Sequence, residues 1–218
     1  MTDFDMPLEQ AMMTQRAIRR LKPDPVDDAL VLRLIELATK APTGSNGQNW
    51  EFIVVRDPAV KARLGRYNRQ AWSIYGRLGR LLRRRDPASL RIIDAVQWQA
   101  DHFEEIPVII VACLRGPRFP LWQMAESSYY GSIYPSVQNL LLAARAVDLG
   151  ATLITLPLWT TFGARRALGL PWSVTPCAVV PLGWPRGRYG PTTRRPPGEI
   201  THLDRYGNKP FTSGGPGR

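Results

Sequence analysis

The sequence predicts a single α+β domain, and three observations carry that expectation. First, its 218 residues are 44% hydrophobic, enough for one sizeable core. Second, segments with helical spacing alternate with short apolar runs of strand character. Third, the stretch 126–148, "ESSYYGSIYPSVQNLLLAARAVD", is apolar on most sides, as suits a helix buried at the centre of such a domain. No internal repeat and no linker divides the chain, so one domain over 1–218 is expected.

The elements follow in order. In "DDALVLRLIELATKA" (27–41), Leu30, Leu34, Leu37 and Ala38 recur at helical intervals after two aspartates, and Pro42 closes the helix. "WEFIVVRD" reads as a strand, and Pro58 opens a short helix. Residues 69–104 are helical and amphipathic, broken near Asp86-Pro87. "IPVIIVACL" (106–114) is a continuous apolar run, the mark of a strand buried on both faces. The helix 126–148 runs through Pro135 and ends before Gly150. "ATLITLPLW" reads as a strand, "TFGARRALGLP" as a short helix and "TPCAVVPLGWP" as a last core strand. The tail, 186–218, is rich in Arg, Pro and Gly and has little apolar content, so it must rest on something else, and a neighbouring subunit is the expected support.

Composition narrows the function. No run reaches the ~18 apolar residues of a membrane helix. The acidic start "MTDFDMPLEQ" lacks the pattern of a signal peptide, so a cytoplasmic protein is expected. Cys113 and Cys177 sit in apolar runs and read as buried free thiols, and the two histidines have no ligand-spaced companion, so no metal site is expected. The net charge of +11 raises nucleic acid as a partner. The charge is nearly all arginine, however, gathered at 16–20, 77–85 and 186–195, and no nucleic-acid motif accompanies it. Arginine suits planar, bidentate phosphate recognition.

Three stretches carry candidate chemistry. In "QRAIRRLKPDPV" (15–26), Arg16 and Arg19 can converge on one phosphate. In "APTGSNGQNWEF" (41–52), seven polar or glycyl positions precede a strand, more than a turn needs. Its hydroxyls and amides, and backbone amides around Gly44 and Gly47, can approach a ligand. "PTTRRPPGEI" (191–200) adds a basic turn containing Arg194 and Arg195.

Taken together and in this order, these stretches resemble the FMN-dependent nitroreductase family, which includes the flavin-dependent iodotyrosine deiodinases. "QRAIR" followed by "RLKPDPV" is similar to the family's arginine-rich opening segment, and "APTGSNGQNWEF" to its Ala-Pro-Ser-x-x-Asn-x-Gln-Pro-Trp loop. "SVQNLLLAARAVDLGA" and "PLGWPRGRYGPTTRRP" are similar to its central helix and its close. The resemblance covers most of residues 10–205 except 68–104. Gln15, Ala17 and Asn49 depart from the family pattern, and Pro157 falls where a backbone N–H is usually offered to the flavin N5 edge.

The resemblance implies a nitroreductase-like fold: a central, mostly antiparallel sheet flanked by helices, a long central helix, and a C-terminal tail swapped onto the partner of a homodimer. It implies FMN held by Arg16, Ala17, Arg19, Pro42, Thr43, Gly44, Asn46, Gln48, Thr155, Leu156, Pro157, Leu158, Arg194 and Arg195, with Thr155 or the Leu158 amide taking the N5 role. No dinucleotide fingerprint is present, which favours FMN over FAD. The implied activity is that of an oxidoreductase passing a hydride from NAD(P)H through flavin N5 to a nitroaromatic, quinone or similar small acceptor in a ping-pong cycle. No protein side chain is then needed as a catalyst. The segment 70–104 is expected to cover the pocket, with Trp72, Tyr75, Trp98 and Phe103 available to stack on an acceptor. Two alternatives stand beside this: a flavin-storing or flavin-sensing protein of the same fold, and a basic nucleic-acid or membrane-surface binder built on "RLGRLLRRRDPASLR" (77–91). The expected partners are a second copy and a small-molecule acceptor, with no nucleic acid and no stable membrane insertion.

Overall fold

The computed structural model describes residues 4–116 and 123–212. Four strands form one sheet: β1 (Trp50–Val55), β2 (Val108–Arg115), β3 (Gly150–Ala151) and β4 (Val174–Gly183), in the order β1-β2-β4-β3. Every pairing is antiparallel. The central strand β2 is buried from Val108 to Leu114, which is why it reads as an unbroken apolar run. Its alternate side chains feed two cores. Ile110, Ala112 and Leu114 pack with α2 (Asp28–Ala38) and α6 (Tyr134–Ala146), while Ile109, Val111 and Cys113 pack with Leu64 and Phe103 on the opposite face. Both cysteines are buried, and neither forms a disulfide.

The register fixes two ends of the molecule. At one end, Trp50 lies opposite Leu114, and Arg115 N donates to Asn49 O. At the other, Val108 pairs with Leu182, which in turn pairs with Ala151. Seven residue steps of β2 separate these ends, roughly 23 Å at about 3.3 Å per residue.

Three elements differ from the sequence reading. The helix expected over 126–148 is two helices, α5 (Gln123–Gly131) and α6. Pro135 sits in the first turn of α6, where its missing N–H costs nothing, and Ser132 O at the break accepts Trp50 Nε1 at 2.7 Å. The strand expected over 151–159 reduces to β3 and an isolated bridge, Ile154 to Val179, before a 3₁₀ turn at Leu156–Leu158. The short helix from Pro58 runs on as α3 (Pro58–Leu82), and α4 (Pro87–Asp101) follows the expected break at Asp86. An N-terminal helix, α1 (Leu8–Thr14), precedes them; α7 (Thr161–Leu168) and α8 (Pro197–Ile200) complete the chain.

The start of the tail packs on its own chain. Leu21 bridges Pro185, Arg186 N donates to Arg20 O, and Thr192 N donates to Met13 O. Tyr189 donates its hydroxyl to Leu149 O and lies 4.1 Å beneath the guanidinium of buried Arg145. The expectation that the tail leaves for a partner from residue 186 is therefore corrected for 186–192. Residues 213–218 of that tail lie outside the described residues.

Candidate functional site

The arginine segment is extended and lies against β3: Ile18 N donates to Ala151 O at 3.1 Å. Gly150 is obligatory at this crossing, because a Cβ there would meet Ile18 Cγ2 at 2.7 Å and Leu21 Cδ2 at 2.7 Å. The segment is thus pinned on both sides of Arg19. Arg19 is half-buried, its Nε is shielded from solvent and has no hydrogen-bond partner, and burial pulls its guanidinium below the ordinary arginine value. A desolvated cation without an anion is costly unless a ligand supplies one. Arg16 and Ala17 are exposed. A Cβ at Gly190 would come within 3.8 Å of Arg16 Nη1, so the tail passes beside Arg16, and Arg194 and Arg195 follow just beyond Thr192, both exposed. The two ends of the chain do converge here.

The polar loop lies at the opposite end of the sheet. Its amides are largely occupied: Gly44 N donates to Ser132 Oγ at 3.1 Å, Gly47 N to Gly44 O at 3.0 Å, and Gln48 N to Thr43 Oγ1 at 3.2 Å. The amides of Gly44 and Gly47 are therefore not available to a ligand, contrary to expectation. The loop presents side chains instead. Ser45, Asn46 and Gln48 all have positive φ, at 52°, 53° and 48°, and all three are exposed. Left-handed backbone costs a non-glycine residue about 1–2 kcal/mol, and such strain gathers at functional sites. A hollow of about 310 Å³ opens beside the loop, lined by Thr43, Gly44, Ser45, Asn49, Arg115 and Ser132 among others. Pro42 is exposed at its entry.

A third piece hangs from the middle of the sheet. The turn after Ile154 places Thr155, Leu156 and Leu158 in a cleft of about 500 Å³ with Tyr75, Tyr134, Trp159 and Cys177. Leu158 N donates to Thr155 O at 2.9 Å, which removes it as a ligand donor, and Pro157 is buried. The amides of Thr155 and Leu156 open the turn, where no acceptor within the turn is available.

The four aromatics expected over the site are dispersed. Tyr75 reaches the cleft and meets Trp159 edge-on at 6.1 Å. Trp72 bonds Gln97 Oε1 at 2.8 Å in the neighbouring groove between α3 and α4. Trp98 stacks on His102 at 4.1 Å beneath Arg186, outside the cleft. Phe103 is fully buried in the core, where a 3₁₀ turn after α4 carries it inward. Tyr130, Tyr134 and Trp159 also line the cleft, and the sequence reading names none of them as a stacking residue.

A family model described as the nitroreductase family matches residues 12–184. The chain belongs to the nitroreductase family. Among its relatives, an NADH dehydrogenase of Thermus thermophilus is 28% identical over 199 residues, covering 85% of this chain and 90% of that one. Iodotyrosine deiodinase 1 of Rattus norvegicus is 26% identical over 190 residues, and the match spans 85% of this chain but 65% of the rat protein. A nitroreductase-type protein of Desulfovibrio desulfuricans, solved in complex with FMN, superposes with a TM-score of 0.67 at 25% identity over 93% of this chain and 99% of its own. Oxidised iodotyrosine deiodinase bound to FMN and 3-iodo-L-tyrosine gives 0.69 at 19% identity, covering 92% and 98%. The α+β architecture with its four-stranded antiparallel sheet is the nitroreductase fold.

Proposed function

We propose that this member of the nitroreductase family is an FMN-dependent oxidoreductase that uses NAD(P)H to reduce a small organic acceptor. The observation that carries the reading is Arg19: a desolvated guanidinium with an orphaned Nε, in the segment that resembles the family's phosphate grip. Arg16 and the tail arginines Arg194 and Arg195 would complete the hold on a terminal phosphate. When bound, FMN supplies a ring that accepts and returns a hydride. The Thr155 and Leu156 amides would orient the ring edge, in place of the proline nitrogen that cannot donate and the Leu158 amide already in use.

Within one chain the polar loop would lie far from that flavin. The arginines and the loop lead from opposite ends of β2, roughly 23 Å apart along the strand at about 3.3 Å per residue. A two-fold dimer resolves this, because each site then takes its arginines from one chain and its Ser45, Asn46 and Gln48 side chains from the other. The exposed, strained loop would be ordered by that contact. Tail residues beyond Arg195 would be free to reach the partner.

The cleft suits a flat, uncharged acceptor. Its described lining holds Tyr75, Tyr130, Tyr134 and Trp159 and no charged side chain. Donor and acceptor would occupy this single opening in turn.

The purified protein is expected to be yellow and to release FMN on denaturation. Release of FAD, or of no flavin from protein reconstituted with FMN, would overturn the reading. Consumption of NAD(P)H only when an acceptor such as a quinone or nitroaromatic is added separates an enzyme from a flavin store.

A further inference from the structure

The basic hairpin formed by α3 and α4 takes no part in the site described above beyond Trp72 and Tyr75. Its outer half carries a run of exposed apolar side chains. Ile74, Leu78, Leu81 and Leu82 fall on one helical stripe, and their exposure rises from 52% at Leu78 to 73% at Leu82. Ile92, across the turn on α4, is 54% exposed and shares a groove with Leu78 and Leu82. Every residue from Arg80 to Ala88 is exposed, so nothing in the described chain packs over the tip. Six arginines surround this stripe: Arg77, Arg80, Arg83, Arg84, Arg85 and Arg91. Arg80 pairs with Asp94 at 2.7 Å and Arg83 acts on Asp86, which also caps α4. Arg77, Arg84, Arg85 and Arg91 have no carboxylate within ion-pair reach among the described residues.

The geometry points to a peripheral binding surface for anionic phospholipid bilayers at the tip of this hairpin. Adjacent leucines at a solvent-exposed helix end gain from burial in hydrocarbon, and the arginines around them match a negative headgroup layer. No helix of the described chain is long and apolar enough to cross a membrane, so the contact lies on the surface. Nucleic acid fits less well: the tip beyond Tyr75 offers no aromatic side chain for base stacking, and the leucines would have no role. A second copy also fits less well, because it would bring a further net charge of +11 to a face that already carries unpaired arginines.

Co-sedimentation of the full chain with vesicles tests this. Vesicles of mixed phosphatidylcholine and phosphatidylglycerol should bind the protein, and phosphatidylcholine alone should not. Each basic residue near an anionic surface contributes about a five-fold factor, so Arg84→Gln with Arg85→Gln should weaken binding roughly twenty-five-fold. Leu81→Gln with Leu82→Gln should weaken it about ten-fold or more at unchanged net charge. Circular dichroism and an unchanged Tm establish that each variant is folded. Failure to bind anionic vesicles would overturn the proposal, as would equal binding to both compositions. The same holds if the leucine variant binds like wild type, which would mark a plain polycation suited to nucleic acid. A change of oligomeric state in the leucine variant, without a change in vesicle binding, would assign the face to a second copy instead.

Discussion

The arginine segment and the polar loop are both polar stretches packed beside the sheet, yet they are built in opposite ways. Arg19 is held by the extended segment 15–21, pinned to Ala151 on one side and Pro185 on the other, with its charge desolvated in advance. The loop is anchored at its base by Ser132 and Thr43 but leaves Ser45, Asn46 and Gln48 exposed and in left-handed backbone. The first is a rigid wall that carries a desolvated cation. The second is a projecting surface of exposed side chains in left-handed backbone. The contrast supports the proposal that the two serve different sites of one dimer, since they lead from opposite ends of β2.

The largest expected effect breaks the first region. Arg19→Ala should weaken FMN binding about ten- to hundred-fold, because a charge-assisted contact contributes roughly 1.5–3 kcal/mol and the desolvation has already been met. Arg16→Ala, on an exposed side chain, should cost about ten-fold or less. Arg84→Ala should leave FMN affinity unchanged. Fluorescence titration of the apoprotein reads all three, and an Arg19 variant that binds like wild type would move the phosphate elsewhere.

A second prediction concerns what supports that region. Burial lifts the Tyr189 hydroxyl from its ordinary value near 10 to about 12, only partly offset by the Arg145 guanidinium stacked on its ring. A raised value means that the folded state prefers the neutral phenol. The resulting stability, about 2–3 kcal/mol, is complete below pH 10 and is lost as pH rises through 12. Tyr189→Phe should lower stability at neutral pH by about 1–2 kcal/mol, since Leu149 O loses its donor. It should also reduce the alkaline loss without abolishing it, because burial raises the Cys113 thiol to about 12 as well. Urea unfolding across pH 8–12 checks both; identical alkaline curves for variant and wild type would detach Tyr189 from the tail's hold.

The smallest effect sharpens the second region. Gln48→Gly relieves a positive φ and should raise Tm by the equivalent of about 1 kcal/mol or less. It should lower FMN affinity at the same time, since the proposed site assigns the Gln48 side chain to the partner's flavin. A drop in both would mean that Gln48 is structural.

Much of this contrast was legible in the sequence, and the reasons for the exceptions are physical. The strands β1, β2 and β4 announce themselves because each is a compact apolar run, and the arginines and the loop stand out as polar stretches beside them. The break between α5 and α6 carries local signals in Gly131 and Pro135, but the helical character on both sides masks them, and Trp50 Nε1 donates to Ser132 O at that break. Phe103 and Tyr75 both occur in an amphipathic helical region, and only the 3₁₀ turn after α4 sends one inward while the other stays at the cleft. The occupied Leu158 amide is equally invisible from composition, since it follows from the 3₁₀ geometry around Pro157.

The central claim, that each flavin site takes its arginines from one chain and its loop from the other, is tested most directly by mixing two inactive variants. Arg19→Ala removes the phosphate grip, and Asn46→Ala with Gln48→Gly removes the loop side chains. Each alone should bind FMN poorly. After the two are mixed in equal amounts and allowed to exchange subunits, half the dimers are hybrids. In each hybrid one site carries both lesions and the other carries neither, so about a quarter of all sites should recover wild-type FMN affinity. If one chain supplied both halves of its own site, mixing would restore none, and that result would contradict the account.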